Sequence, residues 1–144
     1  MNISIESKNR PDFIGIGAMR CGTTWLADKL RKHPEIYVPS NFKELHYFDR
    51  FYHKGNEWYE SNFKGRSKNQ IVGEFTPKYL REDKICKLIY ENYPDVKLIV
   101  SIRNPVDRAF SHYNFLKKHS SISDNFYESL FDENYEILKA GLYG

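Results

Sequence analysis

Apolar positions along the chain fall into two strand-then-helix patterns. Residues 11–16 form a short apolar run that predicts a strand, and residues 23–32 predict a helix stopped before Pro34. Leu98 to Ile102 is nearly continuous in apolar residues, as expected for a strand buried on both faces of a parallel sheet. After it, Asn104 can cap a helix, Pro105 fits its first turn, and Val106, Ala109, Phe110 and Tyr113 repeat as its buried face. Ser111 falls off that stripe. The polar stretch 64–70 reads as a surface loop, and no internal repeat or linker interrupts the chain. Alternating strands and helices predict an α/β fold.

The first strand and helix are joined by residues 17–24, where Gly17 and Gly22 have the spacing of a GxxxxGK[ST] phosphate loop. Thr23 stands where that pattern has lysine, and Thr24 follows it. In a nucleoside triphosphate site the lysine reaches the β- and γ-phosphates and the next hydroxyl holds Mg²⁺. Its absence argues against a conventional triphosphatase. An anion is still favoured, because the loop opens a helix whose first N–H groups and dipole attract negative charge. Thr23 and Thr24 add hydroxyls and Arg20 a full positive charge; the competing reading is an ordinary glycine turn carrying an arginine. The second strand also ends in an arginine, Arg103. Open α/β sheets bind ligands beyond the carboxyl ends of their strands, so two anion sites could face one sheet edge and take a ligand with two separated phosphates. Pairing of Arg103 with Asp107, with Ser111 merely solvated, is the plainer alternative.

Composition changes this picture little. The 144 residues are 40% hydrophobic, enough for one domain with a core, and eleven Tyr with ten Phe point to an aromatic one. Twenty-two basic and 19 acidic residues leave a net charge of +3 without a like-charge run, so nothing suggests nucleic acid. Cys21 and Cys86 are too few for a disulfide framework and lack zinc spacing, which fits a cytoplasmic setting without a metal. Residues 1–10 have no apolar stretch of a signal peptide, and no segment reaches the ~18 apolar residues of a membrane span.

Taken together, residues 20–26 (Arg20, Cys21, Gly22, Thr23, Thr24, Trp25, Leu26) and residues 102–111 (Arg103 to Ser111 among them) resemble the donor-binding segments of sulfotransferases that use 3′-phosphoadenosine-5′-phosphosulfate (PAPS). The likeness is to bacterial carbohydrate-type enzymes and heparan-sulfate sulfotransferases, and it covers nearly the whole chain. It implies a three-layer, P-loop-like α/β fold with a central parallel sheet flanked by helices, in a single domain over 1–144. It implies PAPS as donor, no metal, and a small-molecule or saccharide acceptor with a hydroxyl or amine. By the same match Arg20, Cys21, Gly22, Thr23, Thr24 and Trp25 hold the 5′-phosphosulfate, and Arg103 and Ser111 hold the 3′-phosphate. Residues 43–49 resemble the segment with the catalytic carboxylate, which makes Glu44 the general base and His46 the second candidate.

Several positions depart from the family. Arg20 stands where a catalytic lysine is common, and it is assigned to stabilising charge on the bridging oxygen. Arginine does this as a fixed charge but hardly gives up a proton. Phe75, within 73–80, replaces a lysine of the heparan-sulfate members. Lys78, Trp58 and Tyr59 are assigned to structure. Residues 140–144 resemble a short motif that in the family precedes further elements, so the chain is expected to lack the family's C-terminal part. The alternatives are a P-loop nucleotide kinase or NTPase, and a truncated nucleotide-binding module without catalysis.

Overall fold

The computed structural model describes residues 9–119 and 125–131. The readings of residues 1–8 and 140–144 lie outside the described residues.

Four strands, β1 (Phe13–Gly17), β2 (Ile36–Tyr37), β3 (Ile71–Phe75) and β4 (Lys97–Val100), form one parallel sheet in the order β2-β3-β1-β4. Side chains alternate across a strand, and here the alternation sorts two cores. Phe13 and Phe75 point to the face covered by α1 (Thr23–Arg31), where Leu26, Ala27 and Leu30 meet them. Ile14, Ile16 and Val72 point to the other face, covered by α2 (Gly55–Ser61) and α3 (Asp83–Asn92). Helices thus flank the parallel sheet on both faces, the architecture expected from the sequence.

The second core is aromatic, as the composition predicts. Tyr47 stacks on Tyr59 with ring centroids 4.4 Å apart, and Phe48 meets Tyr79 edge-on at 5.5 Å. Its tyrosines keep their hydroxyls bonded: Tyr47 donates to Asn56 Oδ1 at 2.8 Å and Tyr93 to Glu60 Oε1 at 3.2 Å. Such rings combine large apolar area with a polar tip that needs a partner when buried.

Close approach of β1 and β3 requires Gly73. A Cβ there would lie 2.5 Å from the Phe13 carbonyl oxygen, and a paired backbone has no room to yield. Gly73→Ala is expected to cost about 1–3 kcal/mol, the usual penalty of overpacking, measured as a lower denaturation midpoint in urea. An unchanged midpoint would mean that the strands can separate without loss.

Two expectations need correction. The strand at Leu98 is not covered on both faces: β4 is the outermost described strand beside β1, and Leu98 and Val100 are about half exposed. The helix after it, α4 (Pro105–His119), starts as expected, with Asn104 Oδ1 accepting from the Val106 N–H at 3.0 Å. Its buried face is different, however. Arg108, His112, Tyr113 and Leu116 are buried, whereas Val106 and Phe110 are exposed. The helix turns its Arg108–His112 line inward, and Phe110 instead meets Phe126 of α5 (Phe126–Phe131) at 5.4 Å.

Candidate functional site

The loop between β1 and α1 is shaped by backbone contacts to β4. Ala18 N–H donates to Ser101 O at 2.9 Å, Ser101 N–H to Gly17 O at 2.8 Å, and Ser101 Oγ to the Cys21 carbonyl at 2.6 Å. Gly22, at φ 79°, supplies the left-handed residue from which α1 starts. The first turn of a helix leaves its N–H groups without intrahelical partners, and the first turn of α1 has no acidic side chain to neutralise its positive end. Lys29 and Arg31 sit in the last turn, where the dipole favours cations. The loop is therefore built to attract an anion at its N-terminal end.

Arg20 links this loop to the second motif. Its Nε donates to Ser111 Oγ at 3.2 Å, 91 positions away, and its guanidinium lies 5.0 Å from the Phe115 ring centre. Beside Ser111, burial and then the charges of Arg108, Arg20 and Arg81 push the His112 imidazole down to about 4. Positive potential is thus concentrated on the inner side of α4. Arg103 lies exposed at the carboxyl end of β4, on the same edge of the sheet as the loop.

Glu44 enters from the other side. It lines a cleft with Thr23, Thr24, Ala27, Arg31, Lys43, Phe75 and Pro77, so a half-buried carboxylate shares one cleft with the loop hydroxyls. Its Oε2 is 3.1 Å from His46 Nε2, and His46 Nδ1 is 3.0 Å from Asp49 Oδ2. Asp49 also pairs with Lys78 Nζ at 3.7 Å and Arg50 Nε at 3.8 Å. His46 adopts φ 51° and precedes a π-helical turn over Tyr47–Phe51, whose backbone folds His46 and Asp49 against each other. A carboxylate thus faces each ring nitrogen.

A family model described as "Sulfotransferase domain" matches residues 10–143. This chain belongs to the sulfotransferase family. The "Membrane-associated sulfotransferase kil1" of Dictyostelium discoideum is 34% identical over 142 residues, 93% of this chain and 30% of that one. The "Heparan sulfate glucosamine 3-O-sulfotransferase 3B1" of Mus musculus is 37% identical over 145 residues, 95% of this chain and 37% of the relative. Among solved structures, a sulfotransferase from Alicyclobacillus acidocaldarius superposes with a TM-score of 0.78 at 32% identity, covering 93% of this chain and 65% of that one. The chain spans about a third of the length of these curated relatives.

Within this sulfotransferase domain the anticipated residues fall into two groups. Arg20 meets Ser111, and Thr23 and Thr24 line one cleft with Glu44. Cys21 is buried, with its carbonyl tied to Ser101, while Trp25 is 65% exposed and takes Lys29 over its ring at 5.7 Å. Lys78, assigned to structure, pairs with Asp49. Asp49 itself carried no assignment, although His46 and Asp49 are three apart, a spacing that one helical turn brings together. Among the described residues no helix is long and apolar enough to cross a membrane, and no His, Cys, Asp or Glu cluster is arranged to hold a metal ion.

Proposed function

We propose that this domain transfers a sulfuryl group from PAPS to a hydroxyl or amine of a saccharide, with Glu44 as general base. The observation that carries this reading is the shared cleft of Glu44 with Thr23 and Thr24 at the start of α1. Glu44 takes the proton of the acceptor as its oxygen or nitrogen bonds to sulfur. The bond from sulfur to the bridging phosphate oxygen breaks, and adenosine 3′,5′-bisphosphate leaves. Arg20 is the cation available for the charge that develops on that oxygen, while Arg103 and Ser111 take the 3′-phosphate. Cys21, Gly22, Thr23, Thr24 and Trp25 complete the donor-binding segment. Arg31 and Lys43 flank Glu44 in the cleft and favour an acidic saccharide, in keeping with the heparan sulfate named for several relatives.

The test combines calorimetry with adenosine 3′,5′-bisphosphate, beside ATP with Mg²⁺, and transfer of labelled sulfate to a panel of saccharides. The bisphosphate should bind and sulfate should reach an acidic saccharide. Binding of ATP with Mg²⁺ in preference to the bisphosphate would overturn the reading in favour of an NTPase, and binding without transfer would reduce it to a nucleotide-binding module. Arg20→Ala should weaken donor binding and lower the rate at saturating donor, each by about 10-fold, as for loss of one charge-assisted hydrogen bond. Arg20→Lys should retain much of both, since the charge remains. Unaltered affinity and rate in Arg20→Ala would remove Arg20 from the site.

A further inference from the structure

Beneath the cleft, a fully buried carboxylate on β3 accepts from two hydroxyls. Glu74 Oε1 accepts from Tyr59 Oη at 3.3 Å and Oε2 from Thr76 Oγ1 at 2.8 Å. The nearby Tyr79 hydroxyl and Leu45 backbone N–H also favour its charged form. One of the two donors passes the connection on. Thr76 Oγ1, with its hydrogen committed to Glu74, accepts the His46 N–H at 3.3 Å. Tyr79 Oη in turn accepts the Phe48 N–H at 3.3 Å.

The His46 backbone N–H thus traces back to the buried carboxylate through one hydroxyl. It lies in the short segment that carries Glu44, His46 and Asp49. His46 holds φ 51° there, a conformation that a residue with a side chain keeps only when its surroundings impose it. We propose that Glu74 is a positioning residue for sulfuryl transfer, holding Glu44 and the His46–Asp49 pair in register with the α1 loop through Thr76 and the backbone of His46. This rests on the function proposed above. The environment supports it: burial lifts the Glu74 carboxyl to about 7 against the pull of the hydroxyls and N–H beside it, a penalty that a plain apolar residue in the aromatic core would not incur.

The test uses Glu74→Gln and Thr76→Val, with Thr76→Ser as the conservative variant that keeps the hydroxyl. Each of the first two is expected to lower kcat about 10-fold and to leave affinity for adenosine 3′,5′-bisphosphate within about twofold, the difference between disturbing the transfer step and disturbing donor binding. The double variant should be no slower than the slower single one, because both cut one connection. Thr76→Ser should restore the rate. Lower thermal stability with kcat unchanged in the folded protein would overturn the proposal, leaving Glu74 a core-bonding group. A second measurement is independent of turnover: in nitrogen-15 NMR spectra, Glu74→Gln and Thr76→Val should shift the His46 amide and speed its hydrogen exchange, and Thr76→Ser should not. An unmoved His46 amide in both variants overturns the proposal. A moved amide in a chain that transfers no sulfate upholds the linkage while the function proposed above fails.

Discussion

Glu44→Gln is expected to reduce sulfuryl transfer by about 10²–10⁴-fold, the usual cost of losing a general base, while donor affinity stays unchanged. Glutamine keeps the shape and the hydrogen-bonding reach of glutamate but has no basic oxygen for the acceptor proton. The affinity should survive because the proposed donor contacts belong to the α1 loop and α4, and glutamine leaves them in place. Labelled-sulfate transfer and calorimetry measure the two quantities separately. His46 is the residue to which the role would pass if transfer survived the substitution. Its two ring nitrogens already face Glu44 and Asp49, which makes it better placed to orient the carboxylate than to meet an acceptor.

Adenosine 3′,5′-bisphosphate is expected to bind about 10- to 150-fold more tightly than adenosine 5′-monophosphate, the equivalent of one charge-assisted hydrogen bond of ~1.5–3 kcal/mol. The preference is expected from the proposed placement of Arg103 and Ser111 at the 3′-phosphate. Ser111 Oγ accepts from Arg20, which leaves its own hydrogen to donate to a phosphate oxygen. The buried Arg108, one turn before Ser111 on α4, adds positive charge to the same region. Arg103→Ala should erase most of the preference in a calorimetric comparison. Equal affinity of the unmutated chain for the two nucleotides would eliminate the second phosphate site.

The strand, glycine loop and helix over residues 13–31 were legible because short-range rules govern them: an apolar run, a left-handed glycine and a helix start. The cap at Asn104 was legible for the same reason. What failed was the inference from an apolar run to a strand's place in the sheet. Leu98 and Val100 read as doubly buried, yet local pattern carries no information about sheet order, and β4 is flanked by β1 alone among the described strands. In α4 the apolar stripe lost to a buried line of Arg108 and His112, an orientation that the apolar pattern of the sequence does not encode. Glu44 was singled out through resemblance to a family segment, since its surroundings are assembled from α1, β3 and the 43–49 segment. Asp49 and Glu74 stood in plain view as ordinary acidic residues. Only the folded chain shows that one binds the imidazole and the other lies buried beneath two hydroxyls.

The two tryptophans of this chain give it a pair of optical reporters in unlike surroundings. Trp58 sits half-buried in the aromatic layer, 6.1 Å from Tyr47 and 5.7 Å from Phe51, close enough to collect excitation from neighbouring tyrosines. Trp25 stands in water on the first turn of α1, beside the anion loop. A soluble quencher such as iodide therefore silences Trp25 first and leaves the emission of Trp58. Ligand docking at the loop and melting of the core can in this way be followed in one cuvette, without a label.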